Sequence, residues 1–95
     1  MTYLELEEKC KYIHSMVNDC LVDLTDEGFF IGTQFEYSGE DGDNYLIVSI
    51  CNIHGNPKRI NDSIDDMVSH LNGEEVILIS NKFSKNRNIE LIFKV

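Results

Sequence analysis

The stretch FFIGTQFEYSGEDGDNYLIVSICNI, residues 29–53, decides how this chain folds. In Phe29–Tyr37 the side chains alternate: Phe29, Ile31, Thr33, Phe35 and Tyr37 share one face, and Phe30, Gly32, Gln34 and Glu36 share the other. That period of two belongs to a β-strand. Tyr45–Ile53 alternates again, with Tyr45, Ile47, Ser49, Cys51 and Ile53 on one face and Leu46, Val48 and Ile50 on the other. Between them Ser38–Asn44 holds Gly, Asp and Asn, which favour turns. Two strands joined this way pair as an antiparallel hairpin. The second strand is apolar on both faces and should lie inside a sheet. Phe30, Leu46, Val48 and Ile50 are candidates for an exposed apolar face.

Upstream the period changes. Leu6, Cys10, Ile13, Val17, Cys20, Leu21 and Leu24 recur at spacings of three and four, which is one face of a helix. Thr2 and Glu5 stand at capping-box spacing, with Met1 and Leu6 placed as the accompanying staple. A helix over 3–25 is expected, stopped at Asp26-Glu27-Gly28 with Gly28 as a left-handed cap.

Downstream, His54–Arg59 reads as a break. Asn61 or Asp62 then caps a second helix with the stripe Ile64, Met67, Val68 and Leu71, and Asn72-Gly73 stops it. Glu75–Ser80 reads as a third strand, Asn81–Asn88 as a polar turn, and Ile89–Val95 as a fourth strand with Ile89, Leu91, Phe93 and Val95 inward. The order is α-β-β-α-β-β. A lone hairpin cannot bury its apolar face. The expected fold is therefore α+β, a four-stranded antiparallel sheet with two helices on one face, forming a single domain over residues 1–95.

Composition narrows the function. The chain carries 17 acidic and 8 basic residues, a net charge of −9. Direct binding to nucleic acid or to an anionic membrane needs a basic face, so neither is expected. No stretch has the length of a membrane span, and the start lacks the basic and apolar regions of a signal peptide. Three cysteines form an odd set suited to a reducing cytoplasm.

Motifs for chemistry are sparse. Cys10 with His14, and Cys51 with His54, offer four zinc donors, but Cys10 falls on the buried stripe where a thiol acts as a small hydrophobe. The turn at Glu40–Asn44 resembles a calcium loop only superficially. Counted from Asp41, the glycine and terminal glutamate of such a loop fall on Leu46 and Asn52. Nucleophile elbows, Cys-x-x-Cys and phosphate loops are absent from the sequence. No enzyme activity, cofactor or metal is expected. Lys82, Lys85, Arg87 and Lys94 lie near the last hairpin without interleaved aromatics, the pattern of a solvated turn.

The acids are grouped. Glu36, Glu40, Asp41 and Asp43 crowd the first hairpin, and Asp19, Asp23, Asp26 and Glu27 stand near the end of the first helix, where the helix dipole disfavours them. Such crowding opposes folding, so these eight residues are the candidate partner-binding site. The expected function is that of a small acidic binding protein of phage or mobile-element type. It would block a basic, nucleic-acid-handling site on a host defence protein, as anti-CRISPR and anti-restriction proteins do. A toxin immunity protein and a homo-oligomeric assembly module, such as a homodimer, are the alternatives.

Overall fold

The computed structural model describes residues 1–25, 28–71, 76–84 and 86–95. The elements are α1 (Tyr3–Leu21), β1 (Phe30–Glu36), β2 (Tyr45–Cys51), α2 (Pro57–His70), β3 (Ile77–Phe83) and β4 (Ile89–Lys94). The strands form one antiparallel sheet in the order β1-β2-β4-β3, so β2 and β4 are central and β1 and β3 are edges. The expected α+β architecture is the observed one.

Thr2 caps α1 in a full capping box. Its Oγ1 accepts from the Glu5 N–H at 3.2 Å, and Glu5 Oε1 accepts from the Thr2 N–H at 3.1 Å. Leu6, Cys10, Ile13, Val17 and Leu21 are buried along one face. The helix ends at Leu21, four residues short of the expected 25, and the chain turns through Val22–Leu24. Gly28 is not the cap, because its φ lies outside the left-handed region. Asp26 and Glu27 lie outside the described residues.

α2 begins earlier than its apolar stripe suggests. The cap is Asn56, not Asn61 or Asp62. Its Oδ1 accepts from the N–H groups of Lys58 and Arg59 at 2.9 and 3.3 Å. Pro57 occupies the first turn, where a missing N–H costs nothing. The extra turn adds Ile60 to the buried face beside Ile64 and Met67. The expected stop at Asn72-Gly73 lies outside the described residues.

β3 runs to Phe83, beyond the expected end at Ser80. Asn81, Lys82 and Phe83 pair with Leu91, Glu90 and Ile89, so they belong to the ladder and not to a turn. A bulge between Leu78 and Ser80 breaks the alternation that the sequence reading relied on.

Both helices cover one sheet face. Leu46, Val48, Ile50, Leu91 and Phe93 point into this layer with no exposed surface, against Ile13, Val17, Leu21, Ile60 and Ile64. The expectation that Leu46, Val48 and Ile50 stand on an exposed face is therefore corrected. Antiparallel partners share a face, and β1 sets the register: Phe35 opposes Leu46 and Thr33 opposes Val48. Once Phe35 packs inward, Leu46 must follow.

Candidate functional site

The turn between β1 and β2 is held by one side chain. Asn44 is 1% exposed and is the only buried polar residue among those described. Its Oδ1 accepts from the Ser38 N–H at 2.7 Å, and its Nδ2 donates to the carbonyls of Gly39 and Gly42, each at 3.4 Å. Gly39 adopts φ +100°, open to glycine without strain. At Gly42 a Cβ would sit 2.4 Å from the Ser38 carbonyl oxygen, so only glycine fits. The backbone nitrogen of Met1 donates to the Glu40 carbonyl at 2.8 Å, and the Val95 N–H to the Asn44 carbonyl at 3.0 Å. The Tyr3 ring meets Phe35 and Tyr37 edge-on, at centroid distances of 5.3 and 5.5 Å. The turn is thereby fixed to the start of α1 and to the end of β4.

Glu40, Asp41 and Asp43 are exposed on this turn. Asp43 reaches Lys94 at 3.4 Å, an exposed pair of small energetic weight. Glu36 lies on the side of β1 away from the helices, beside Tyr45. These four acids form one region at the turn end of the sheet.

Asp19 and Asp23 do not join them. The start of α1 is tied to the turn, and Asp19 lies sixteen residues beyond Tyr3, about 24 Å along the helix axis. Both are exposed at the opposite end of the molecule, and Asp26 and Glu27 lie outside the described residues. The eight candidates thus do not make one continuous patch. Sequence proximity to β1 hid this, because the strand runs back along the helix.

The cysteines and histidines do not converge either. Cys10 is buried in the helix–sheet core, and Cys51 is exposed on β2. Cys51 pairs with Phe30 on the side away from the helices, so the sheet separates the two thiols. The His54 ring is engaged at both nitrogens. Arg87 donates to Nδ1 at 2.7 Å, which leaves Nε2 as the donor to Asn52 Oδ1 at 2.9 Å. Asn52 and Arg87 adopt φ of 61° and 62°, and Arg87 accepts the Ile53 N–H at its carbonyl at 3.0 Å. This cluster shapes the β2–α2 and β3–β4 connections. Among the described residues no group of His, Cys, Asp and Glu is placed to hold a metal. The basic residues are also dispersed. Arg87 is on His54, Lys94 is at the far end of β4, and Lys85 lies outside the described residues.

Cys20 sits between the helices. Ser63 Oγ donates to the Cys20 carbonyl at 3.2 Å and lies 3.0 Å from the thiol, which therefore donates to it. Burial pushes the Cys20 thiol up, which disfavours the nucleophilic thiolate.

The side of the sheet facing away from the helices was only partly anticipated. Phe30 stands there as expected, 72% exposed. With it are Tyr45, Ile47 and Ile92 at the centre, Ile77 at 62% exposure and Ile79 at 52%. The signal lay in the hairpin register, since Gln34 and Glu36 oppose Ile47 and Tyr45.

No family model, curated protein or solved structure matches this chain. Among the described residues no helix is long and apolar enough to cross a membrane.

Proposed function

We propose that this protein is a non-catalytic binder of a basic protein, and that it occupies a surface which that protein uses to handle nucleic acid. One observation carries the reading. The Asn44 network and the Met1–Glu40 contact tie down the backbone of an exposed acidic turn. Carboxylates carried on a held backbone lose less conformational freedom on docking. Their sign steers the molecule to a cationic cleft and speeds association at low salt.

Glu36, Glu40, Asp41 and Asp43 make the primary contact. Asp19 and Asp23, with Asp26 and Glu27, add to it only where the partner's basic surface continues along α1. A cytoplasmic inhibitor from a phage or mobile element, of the anti-restriction or anti-CRISPR type, is the setting that fits size, charge and free thiols together.

The test is a pull-down from nuclease-treated lysate, read by mass spectrometry at low and high salt. The expected result is a basic nucleic-acid-handling protein, lost at high salt and lost with the triple variant Glu40→Lys, Asp41→Lys, Asp43→Lys. Retention by that variant overturns the reading. A partner that survives high salt points to an immunity protein with an apolar interface.

A further inference from the structure

The sheet face opposite the helices is laid out in cross-strand rows. From the turn end they read Glu36–Tyr45–Lys94–Ile77, then Gln34–Ile47–Ile92–Ser80, then Gly32–Ser49–Glu90–Lys82. Phe30 and Cys51 form the last pair, and Ile79 stands in the bulge beside the second row. Among the described residues the charged groups on this face are two carboxylates, Glu36 and Glu90, and two ammonium groups, Lys82 and Lys94. These four charges cancel, on a chain whose net charge is −9. Tyr45, Ile47 and Ile92 lie on the central strands and Phe30, Ile77 and Ile79 on the edges; Glu36 lies on the β1 side of the midline between β2 and β4, with Lys94, Lys82 and Glu90 on the other.

From this layout we infer that a second copy of the chain covers this face, in a two-fold dimer. The charges are complementary under a two-fold axis parallel to the strands, midway between β2 and β4. Such an axis sets β1 over β3 of the second copy, and β2 over its β4. Ile47 then stacks on Ile92 of the second copy, Tyr45 lies over its Lys94 ammonium, and Glu36 is next to that same Lys94. Each contact occurs twice. Aligned sheet-on-sheet packing of this kind is a standard way to bury an open face. A basic partner fits the body of this face less well, because Lys82 and Lys94 would meet like charge there; of the acidic turn contacts only Glu36 stands on it, at its β1 edge.

Size sets the strength. Four strands about 4.8 Å apart and six residues rising about 3.4 Å each give a face of roughly 19 by 20 Å. Two such faces bury roughly 760 Å², below the ~1,200 Å² at which stable specific interfaces begin, so the dimer is weak, transient and concentration-dependent. The two bodies repel through the rest of their charge, so added salt strengthens the dimer by screening. That is opposite to the effect of salt on the acidic-turn contact, so the two readings fail separately.

Sedimentation of the full chain from micromolar to millimolar concentration tests the inference. The expected result is a monomer–dimer equilibrium that shifts toward dimer with salt. Glu36→Lys and Lys94→Glu each weaken it by about tenfold, roughly one ion-pair contact counted twice. The double swap restores it, and Ile47→Lys abolishes it. The swap positions are exposed and the Lys94–Asp43 pair has small energetic weight, so circular dichroism stays as in the parent chain and melting shifts only slightly. A monomer throughout the range overturns the inference. A dimer that dissolves in salt, or one indifferent to these substitutions, overturns it equally.

Discussion

Asn44 closes the β1–β2 turn onto Ser38, its Oδ1 accepting the Ser38 N–H at 2.7 Å from a side chain almost wholly withdrawn from water. The same amide spans the turn to the carbonyls of Gly39 and Gly42. Removing it strands several backbone groups at once. Asn44→Ala should destabilise the fold by about 2 kcal/mol, because the Ser38 N–H and the Gly39 and Gly42 carbonyls lose their partner together. Denaturant unfolding measures this. In the pull-down the same variant should retain less partner, since Glu40 and Asp41 lose their fixed geometry while keeping their charge.

Glu5 is fully exposed, yet its carboxyl lies below the usual carboxylate range, chiefly through the Thr2 backbone N–H and then the Thr2 hydroxyl. A folded value below the unfolded one means that this stabilisation is present above the unfolded value. It is lost as pH falls through the folded one. Glu5→Gln should lower the melting temperature at neutral pH, and the gap from the parent chain should narrow in acid. Melting curves over a pH series decide it. A gap constant with pH would show that the carboxylate contributes nothing.

Leu46 and Ile47 are adjacent in β2 but point to opposite sides of the sheet. Leu46→Ala opens a cavity in the helix–sheet core and should cost about 3 kcal/mol. Ile47→Ala removes atoms from a half-buried position and should cost about 1 kcal/mol in dilute solution. Equal losses in chemical denaturation would contradict the register.

The three thiols should alkylate in a fixed order. Cys51 is exposed and reacts first. Cys20 lags, because it is half-buried between the helices and that burial raises its thiol. Cys10 reacts only through opening of the core. A time course with iodoacetamide, read by peptide mass spectrometry, gives the order directly. Early labelling of Cys20 would argue against its packing between the helices.

Element types and their order were legible because period three-to-four and period two are written plainly in the apolar residues. Termini were less so. Leu24 continues the α1 stripe but lies past the helix end, where it still packs against the core. A residue can serve the core without being helical, and periodicity does not separate the two. The start of α2 was hidden because Pro57 reads as a breaker, although at a first turn it is compatible with a helix. β3 outran its expected end because the bulge at Ile79 moves Asn81 and Lys82 out of phase. For the candidate site, the turn acids were found together, but the distance to Asp19 depends on how far α1 carries the chain from the turn. The face choice in β2 needed the hairpin register, which the pairing of Phe35 with Leu46 and of Glu36 with Tyr45 supplies.

The strand order β1-β2-β4-β3 also sets the sequence of events by which the chain acquires its shape. Pairing β1 with β2, or β3 with β4, closes a short loop. Joining β2 to β4 brings Ile50 to Ile89 across all of α2 and β3, and that longer closure is entropically slower. The two helix–hairpin halves should therefore form early and merge late, with Leu46, Val48 and Leu91 wet until the merger. Pulsed hydrogen exchange during refolding should protect the hairpin amides before those bridging β2 and β4. It is in that interval, with two unfinished sheet edges showing, that aggregation competes with folding.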